Sequence, residues 1–187
     1  MLGSAADKRF SLSFWEISVI VRKMAENDLE AVSAICMSSF LGSVADTSSC
    51  EGVSTFSKIA ASNAFLDRMK GDNLMLVAED NGKIEGIIEF KEGRHVAMLF
   101  INPGRQKEGI GRKLLSAAMN YAKVETVTVR ASLSSVPAYE KYGFECKGEA
   151  SESAGLAYQP MEIKLNQASH GDGSCIAAAP PFRNRTC

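Results

Sequence analysis

The stretch Leu99-Phe100-Ile101-Asn102-Pro103-Gly104-Arg105-Gln106-Lys107-Glu108-Gly109-Ile110-Gly111-Arg112-Lys113-Leu114-Leu115 decides how the chain is read. An apolar run with the character of a strand breaks at a Pro-Gly turn. It crosses a loop holding two glycines one residue apart and continues into a helical pattern with basic residues in its first turn. Such an arrangement suits an anion, because the first N–H groups of a helix lack partners within it and sit at the positive end of its dipole. Gly109 and Gly111 carry no Cβ, which lets phosphate oxygens approach the main chain. Arg105, Lys107, Arg112 and Lys113 add positive charge, opposed only by Glu108. Spacing excludes two familiar phosphate loops. A P-loop requires Lys and then Ser or Thr directly after its second glycine, whereas Ile110 and Gly111 follow Gly109. A dinucleotide fingerprint requires a third glycine where the chain has Leu114. What remains is Gln-x-x-Gly-x-Gly, Gln106 to Gly111, between a strand and a helix.

Composition narrows the setting. A chain of 187 residues with 45% hydrophobic content can bury the core of one domain. The formal net charge of -1 carries no broad basic footprint for nucleic acid, so the local charge of the loop points to a small anionic ligand. Cys36, Cys50, Cys146, Cys175 and Cys187 are odd in number and widely spaced, with no C-x-x-C pair and no clustered histidines. Neither a disulfide framework nor a metal-ligand set is indicated, which suits a reducing compartment. The longest uncharged run, Ala31 to Ala45, is too short for a membrane span. Lys8-Arg9 before Phe10 to Ile20 has the outline of a signal peptide, but Glu16 interrupts it and no small-residue cleavage site follows. The expectation is a soluble cytoplasmic protein without a membrane partner.

Along the chain, residues 1–16 show little periodicity and read as an extension, and residues 17–165 carry the periodic elements. From Asn166 onward the chain turns to Gly, Ala, Ser and Pro and reads as a disordered or loosely docked tail. Ile17 to Val21 alternates as a first strand. Asn27 or Asp28 caps a helix with Leu29, Val32, Ile35, Cys36 and Phe40 at helical spacing, ended by Gly42. The small, polar stretch Ser43 to Ser54 reads as a loop before a second helix, Phe56 to Met69. Leu74 to Ala78 and Lys83 to Glu92 flank Asn81-Gly82, a strong hairpin signal. His95 to Ile101 completes an antiparallel meander that runs into the glycine loop. Arg112 to Val124 is a helix, and Thr126 to Arg130 is a strand placed parallel to the preceding one by the crossover. Pro137 opens a short helix, Ala138 to Tyr142, ended by Gly143. Phe144 to Gly148 and Met161 to Leu165 are the last strands, joined by a loop around Ser151 to Pro160.

The Gln106–Gly111 loop resembles the acyl-CoA-binding loop of the GNAT superfamily of N-acyltransferases. A second signature, Ala138-Tyr139-Glu140-Lys141-Tyr142-Gly143-Phe144, is similar to the Tyr-Glu-Lys-x-Gly-Phe stretch of the family's short helix, and the element order agrees across residues 17–165. The resemblance implies an α/β (α+β) fold with a mixed sheet of about six to seven strands. The sheet splays between the strands flanking the glycine-loop helix, and helices cover both faces.

The resemblance also implies a chemistry, direct transfer of an acetyl group from acetyl-CoA to a primary amine in a ternary complex. The pantetheine arm then runs along the backbone of Leu99, Phe100 and Ile101. The pyrophosphate rests on the N–H groups of Gln106, Lys107, Glu108, Gly109, Ile110, Gly111 and Arg112, with Lys107, Arg112 and Lys113 near CoA phosphates. Glu108 departs from this design, since a carboxylate beside a pyrophosphate is unfavourable unless it turns away. Tyr139 occupies the family position of the tyrosine near the thioester sulfur and is the candidate general acid, against a purely packing role. His95 lies eleven residues before Gln106, a spacing at which some members place a catalytic glutamate, and is the candidate base, against a surface histidine. Glu89 is the second candidate, against a residue on a solvated strand face. Cys146 is read as packing rather than as an acyl carrier. The acceptor, a small-molecule or peptide amine, is expected between the helices of Asp28 to Met69 and the loop Ser151 to Pro160. Assembly as a homodimer is left open. The alternatives are a non-catalytic CoA-binding or regulatory module and an association domain acting through its cysteine-bearing tail.

Overall fold

The computed structural model describes residues 19–45 and 48–165, so the extension expected at 1–16 and the tail expected at 166–187 lie outside the described residues. One sheet is formed by β1 (Ile20–Lys23), β2 (Asn73–Asp80), β3 (Lys83–Lys91), β4 (His95–Ile101), β5 (Thr126–Ser132), β6 (Glu145–Cys146), β7 (Ser151–Ser153) and β8 (Leu156–Lys164). The helices are α1 (Leu29–Ser43), α2 (Cys50–Ile59), α3 (Ser62–Met69), α4 (Ile110–Met119) and α5 (Val136–Lys141). The order across the sheet is β1-β2-β3-β4-β5-β8-β6, with β7 pairing β8. All these pairings are antiparallel except β4 with β5, which α4 crosses over to connect. The architecture is the mixed, two-face-covered sheet expected from the sequence, with eight strands rather than six or seven.

Strand alternation sorts side chains between two cores. Leu76, Ala78, Ile88, Phe90 and Val96 pack with Ile110, Leu114, Leu115 and Ala118 of α4. Met75, Val77 and Ile87 pack with Val32, Cys36, Phe40, Phe56 and Phe65 of α1 to α3. β3 is therefore buried on both faces, and Glu85 and Glu89, which alternation alone would give to solvent, are buried as well. Each has an arginine partner. Arg68 Nε donates to both oxygens of Glu89 at 3.0 and 3.1 Å, and Arg105 Nη1 meets Glu85 Oε1 at 3.4 Å.

Several boundaries differ from the sequence reading. The first strand lies slightly later than expected, at Ile20–Lys23. Asp28 precedes α1 without capping it by its side chain, and its carboxylate instead accepts from Arg22 at 2.6 and 2.9 Å and from the Ala25 N–H at 2.8 Å. The presumed loop of residues 43–54 already contains the start of α2, capped by Ser49 Oγ accepting from the Gly52 N–H at 3.1 Å. The single helix expected over Phe56 to Met69 breaks at Ala60 and Ala61, where the fully buried Ala60 turns the chain so that Phe56 and Phe65 reach the same core. α4 starts two residues earlier than expected and stops at Met119 rather than at Val124. The loop Ser151 to Pro160 is a hairpin, β7 and β8 around Ala154-Gly155, and Pro160 lies inside β8 opposite Arg130.

Candidate functional site

The site begins with an extra residue. Glu89 pairs with Met98 while the next residue, Phe90, pairs with Val96, so Ala97 is bulged out of the β3–β4 ladder. A bulge reverses side-chain alternation and bends its strand. Accordingly Val96 joins the α4 core and Met98 the opposite one. Pairing of β4 with β5 covers only His95 with Thr128 and Val96 with Val129. Beyond the bulge the strands part, and a cavity of about 320 Å³ opens between them.

Ala97 to Phe100 form one wall of this cavity and Val129 to Ser132 the other. Tyr139 and Ser135 line it from the side of α5, and Phe40, Val44, Thr55, Phe56 and Ile59 from the side of α1 and α2. The β7–β8 tip closes one end, where the Gly155 carbonyl accepts from the Ser49 N–H at 3.3 Å. The elements expected to shape the acceptor side thus do line the opening. Tyr139 is buried, its ring edge-on to Phe144 at 5.3 Å and to Tyr142 at 6.0 Å. Burial pushes its hydroxyl well above the ordinary tyrosine range, with Tyr142 adding to the effect, so it stays protonated and able to donate.

At the open end of β4 the loop is tied down before it reaches α4. Asn102 Oδ1 accepts from the Gly104 N–H at 3.2 Å and its Nδ2 donates to Glu85 Oε2 at 2.6 Å. Arg105 Nη1 donates to Asp80 Oδ2 at 2.9 Å, and its Nε to Glu108 Oε2 at 2.8 Å. This corrects the charge count made from sequence. Arg105 is engaged by three carboxylates rather than offered to an anion, and Glu108 is held by Arg105, which accounts for an acidic residue in this loop. Lys107 and Gly109 take left-handed backbone conformations, φ +67° and +83°. The helical ladder opens with the Lys113 N–H on the Gly109 carbonyl at 3.1 Å, so the N–H groups of Ile110, Gly111 and Arg112 precede it. Gly109 has open space where a Cβ would stand, but a Cβ on Gly111 would lie 2.5 Å from the Tyr142 hydroxyl oxygen. The missing Cβ of Gly111 therefore makes room for the Tyr142 hydroxyl.

The candidate bases lie elsewhere. His95 lines a neighbouring cleft with Thr128, Lys147 and Glu162, and the two openings share Val129 and Arg130. Its Nδ1 is 2.8 Å from Thr128 Oγ1. Burial first, and then Arg130, Lys91 and Arg94, lower its pKa below the ordinary histidine value. Glu89 lines neither opening and is held by Arg68, whose Nη1 also donates to the Ile59 carbonyl at the end of α2. Cys146 is exposed on β6 and lines neither opening. Sequence reasoning missed Arg130, although Val127 and Val129 facing the core put Thr128, Arg130 and Ser132 on the other face of β5. It also missed the bulge at Ala97, which leaves no mark in a continuously apolar strand.

The sheet thus splits beside the N-terminus of α4, with a buried tyrosine on the wall of the split. A family model for the acetyltransferase (GNAT) domain matches residues 44–165, and the chain belongs to this family. Among solved structures, the GCN5-related N-acetyltransferase of Rhodopseudomonas palustris is 25% identical, with a TM-score of 0.69 over 78% of this chain and 95% of that one. The PaiA N-acetyltransferase of Thermoplasma acidophilum, solved in complex with coenzyme A, is 23% identical, with a TM-score of 0.67 over 79% and 99%. YncA of Salmonella typhimurium, solved with its cofactor acetyl-CoA, is 19% identical, with a TM-score of 0.60 over 83% and 99%. No curated protein sequence matches the chain significantly.

Proposed function

We propose that the protein is an acetyl-CoA-dependent N-acetyltransferase that transfers the acetyl group directly to the primary amine of a small molecule or peptide. The observation that carries this reading is the parting of β4 and β5 after two residue pairs, with Tyr139 lining the opening. The residues present fit the cosubstrate. Left-handed Lys107 and Gly109 and the start of α4 leave main-chain donors at the loop, and its one carboxylate, Glu108, is turned onto Arg105.

In this reading the backbone of Leu99, Phe100 and Ile101, past the last β5 pair, bonds the pantetheine arm. The N–H groups from Gln106 to Arg112 hold the pyrophosphate, helped by Lys107, Arg112 and Lys113. Bound acetyl-CoA supplies an activated acyl carbon. The amine nitrogen bonds to that carbon as the C–S bond breaks, and Tyr139 gives its hydroxyl proton to the leaving sulfur. His95, neutral near pH 7 because its pKa is lowered, takes the amine proton through water. Glu89, the second candidate base, is assigned to fixing α3 on the sheet through Arg68.

Thiol release from acetyl-CoA in the presence of a panel of primary amines tests the proposal. One thiol per acetylated amine is expected. Background release with every amine, together with saturable CoA binding, would leave a non-catalytic CoA-binding module instead.

A further inference from the structure

The side of the cavity beneath α1 and α2 is apolar and aromatic around one cation. Phe40 and Phe56 stack at 4.0 Å, Phe56 tilts against Phe100 at 5.3 Å, and all three line the opening. Arg130 reaches it from β5 with its guanidinium 5.0 Å from the centre of the Tyr158 ring, and it has no carboxylate partner among the described residues. Among the described residues no aspartate or glutamate lines the cavity, and Glu162 in the neighbouring cleft is taken by Lys147 at 3.3 Å. A polycationic acceptor meets only a like charge and no counter-ion here, which disfavours it. A carboxylate meets a planar guanidinium that offers it paired donors.

Resting on the acetyltransferase reading, we propose that the acceptor is a free α-amino acid with an apolar or aromatic side chain. Arg130 holds its carboxylate, and the Phe40, Phe56 and Phe100 rings receive its side chain. The guanidinium offsets the carboxylate, which is the ammonium's internal counter-ion, and its donors hold the carboxylate in place. The offset favours the neutral amine that attacks. The step balances as the amine N–C bond forms and the thioester C–S bond breaks, sulfur leaving with the Tyr139 proton. The amine proton passes through water to His95, which returns it through water to the tyrosinate.

The test compares kcat/KM of the full chain, expressed per neutral amine, for L-phenylalanine and L-leucine with their carboxamides, which lack the carboxylate charge and whose amines titrate lower, and with spermidine, all by thiol release from acetyl-CoA. The acids are expected to exceed their amides by about tenfold or more, the scale of one charge-assisted pair, with spermidine at background. Arg130→Gln brings the acid-to-amide ratio to within about threefold of unity, chiefly through KM, and Arg130→Lys gives a ratio in between. Preference for the amides or for spermidine, or a ratio unmoved by Arg130→Gln, overturns the proposal while acetyl transfer itself persists. No thiol release with any acceptor removes the acetyltransferase reading, and this proposal with it.

Discussion

Tyr139 owes its place to packing and its chemistry to the same packing. Phe144 and Tyr142 hold its ring edge-on, and burial keeps its hydroxyl protonated. Tyr139→Phe keeps the ring contacts and removes the proton, so kcat is expected to fall about a hundredfold while KM for acetyl-CoA moves by less than about threefold. An unchanged kcat would end its assignment as acid. His95 gives a signed pH dependence. In its proposed role as base its neutral form is the competent one, and burial with Arg130, Lys91 and Arg94 lowers its pKa, so the acidic limb of kcat/KM, expressed per neutral amine acceptor, lies below the ordinary value of 6.5. Activity is retained as pH falls to that point and is lost only beneath it. His95→Gln is expected to abolish this limb, and a limb that survives unchanged would exclude the histidine. Gly111 makes a purely structural prediction. Gly111→Ala collides with the Tyr142 hydroxyl and is expected to cost about 1–3 kcal/mol in denaturant unfolding. Adding Tyr142→Phe should recover most of that, because the next ring atom, at 3.5 Å, is in ordinary contact. No recovery would mean that strain lies elsewhere.

At the scale of elements, the loop before α4 depends on charges that do not belong to it. Asp80 at the end of β2 and Glu85 in β3 fix Arg105, and Arg105 fixes Glu108. Arg105→Gln therefore leaves three carboxylates without their arginine beside the proposed phosphate site. KM for acetyl-CoA is expected to rise about tenfold with kcat nearly unchanged, and Glu108→Gln added to it should restore part of the loss. A fall in kcat at constant KM would contradict this. The glycine loop itself, the meander, the crossover and the short tyrosine helix were legible in the sequence, because each announces itself by local punctuation such as Asn81-Gly82, Pro137 and Gly143. What was illegible is long-range. The partners of Glu85, Glu89 and Glu108 are arginines 20, 21 and 3 residues away, and only the first two require the fold. The third, Arg105 with Glu108, has ordinary i,i+3 spacing and was open to reading. The break between α2 and α3 has no glycine or proline to mark it, and Pro160 disguised β8 by lying within a strand.

Taken whole, the molecule is one sheet with a core on each face, cracked where β4 and β5 separate. Both cores converge on the crack. Tyr139 and Ala131 belong to the core under α4, and Phe40, Phe56 and Met98 to the core under α1 to α3. β3 is buried on both faces, and β4 sends Val96 into one core and Met98 into the other where its neighbour departs, so the opening is part of the folded state. The fold of the family was readable from two short signatures in order, whereas the bulge that opens the cavity is a one-residue register change that only the pairing reveals.

The proposed binding of acetyl-CoA in this opening and the loop at its mouth is tested by calorimetric titration of acetyl-CoA into the wild-type protein and Gly109→Val. Gly109 sits at φ +83°, a conformation a β-branched residue rarely adopts, and open space surrounds the Cβ position, so the substitution perturbs loop geometry without disturbing a core. Saturable binding of one acetyl-CoA per wild-type chain is expected, weakened about tenfold or more in the variant. Absence of saturable binding by the wild type, or equal affinity in both proteins, would contradict it.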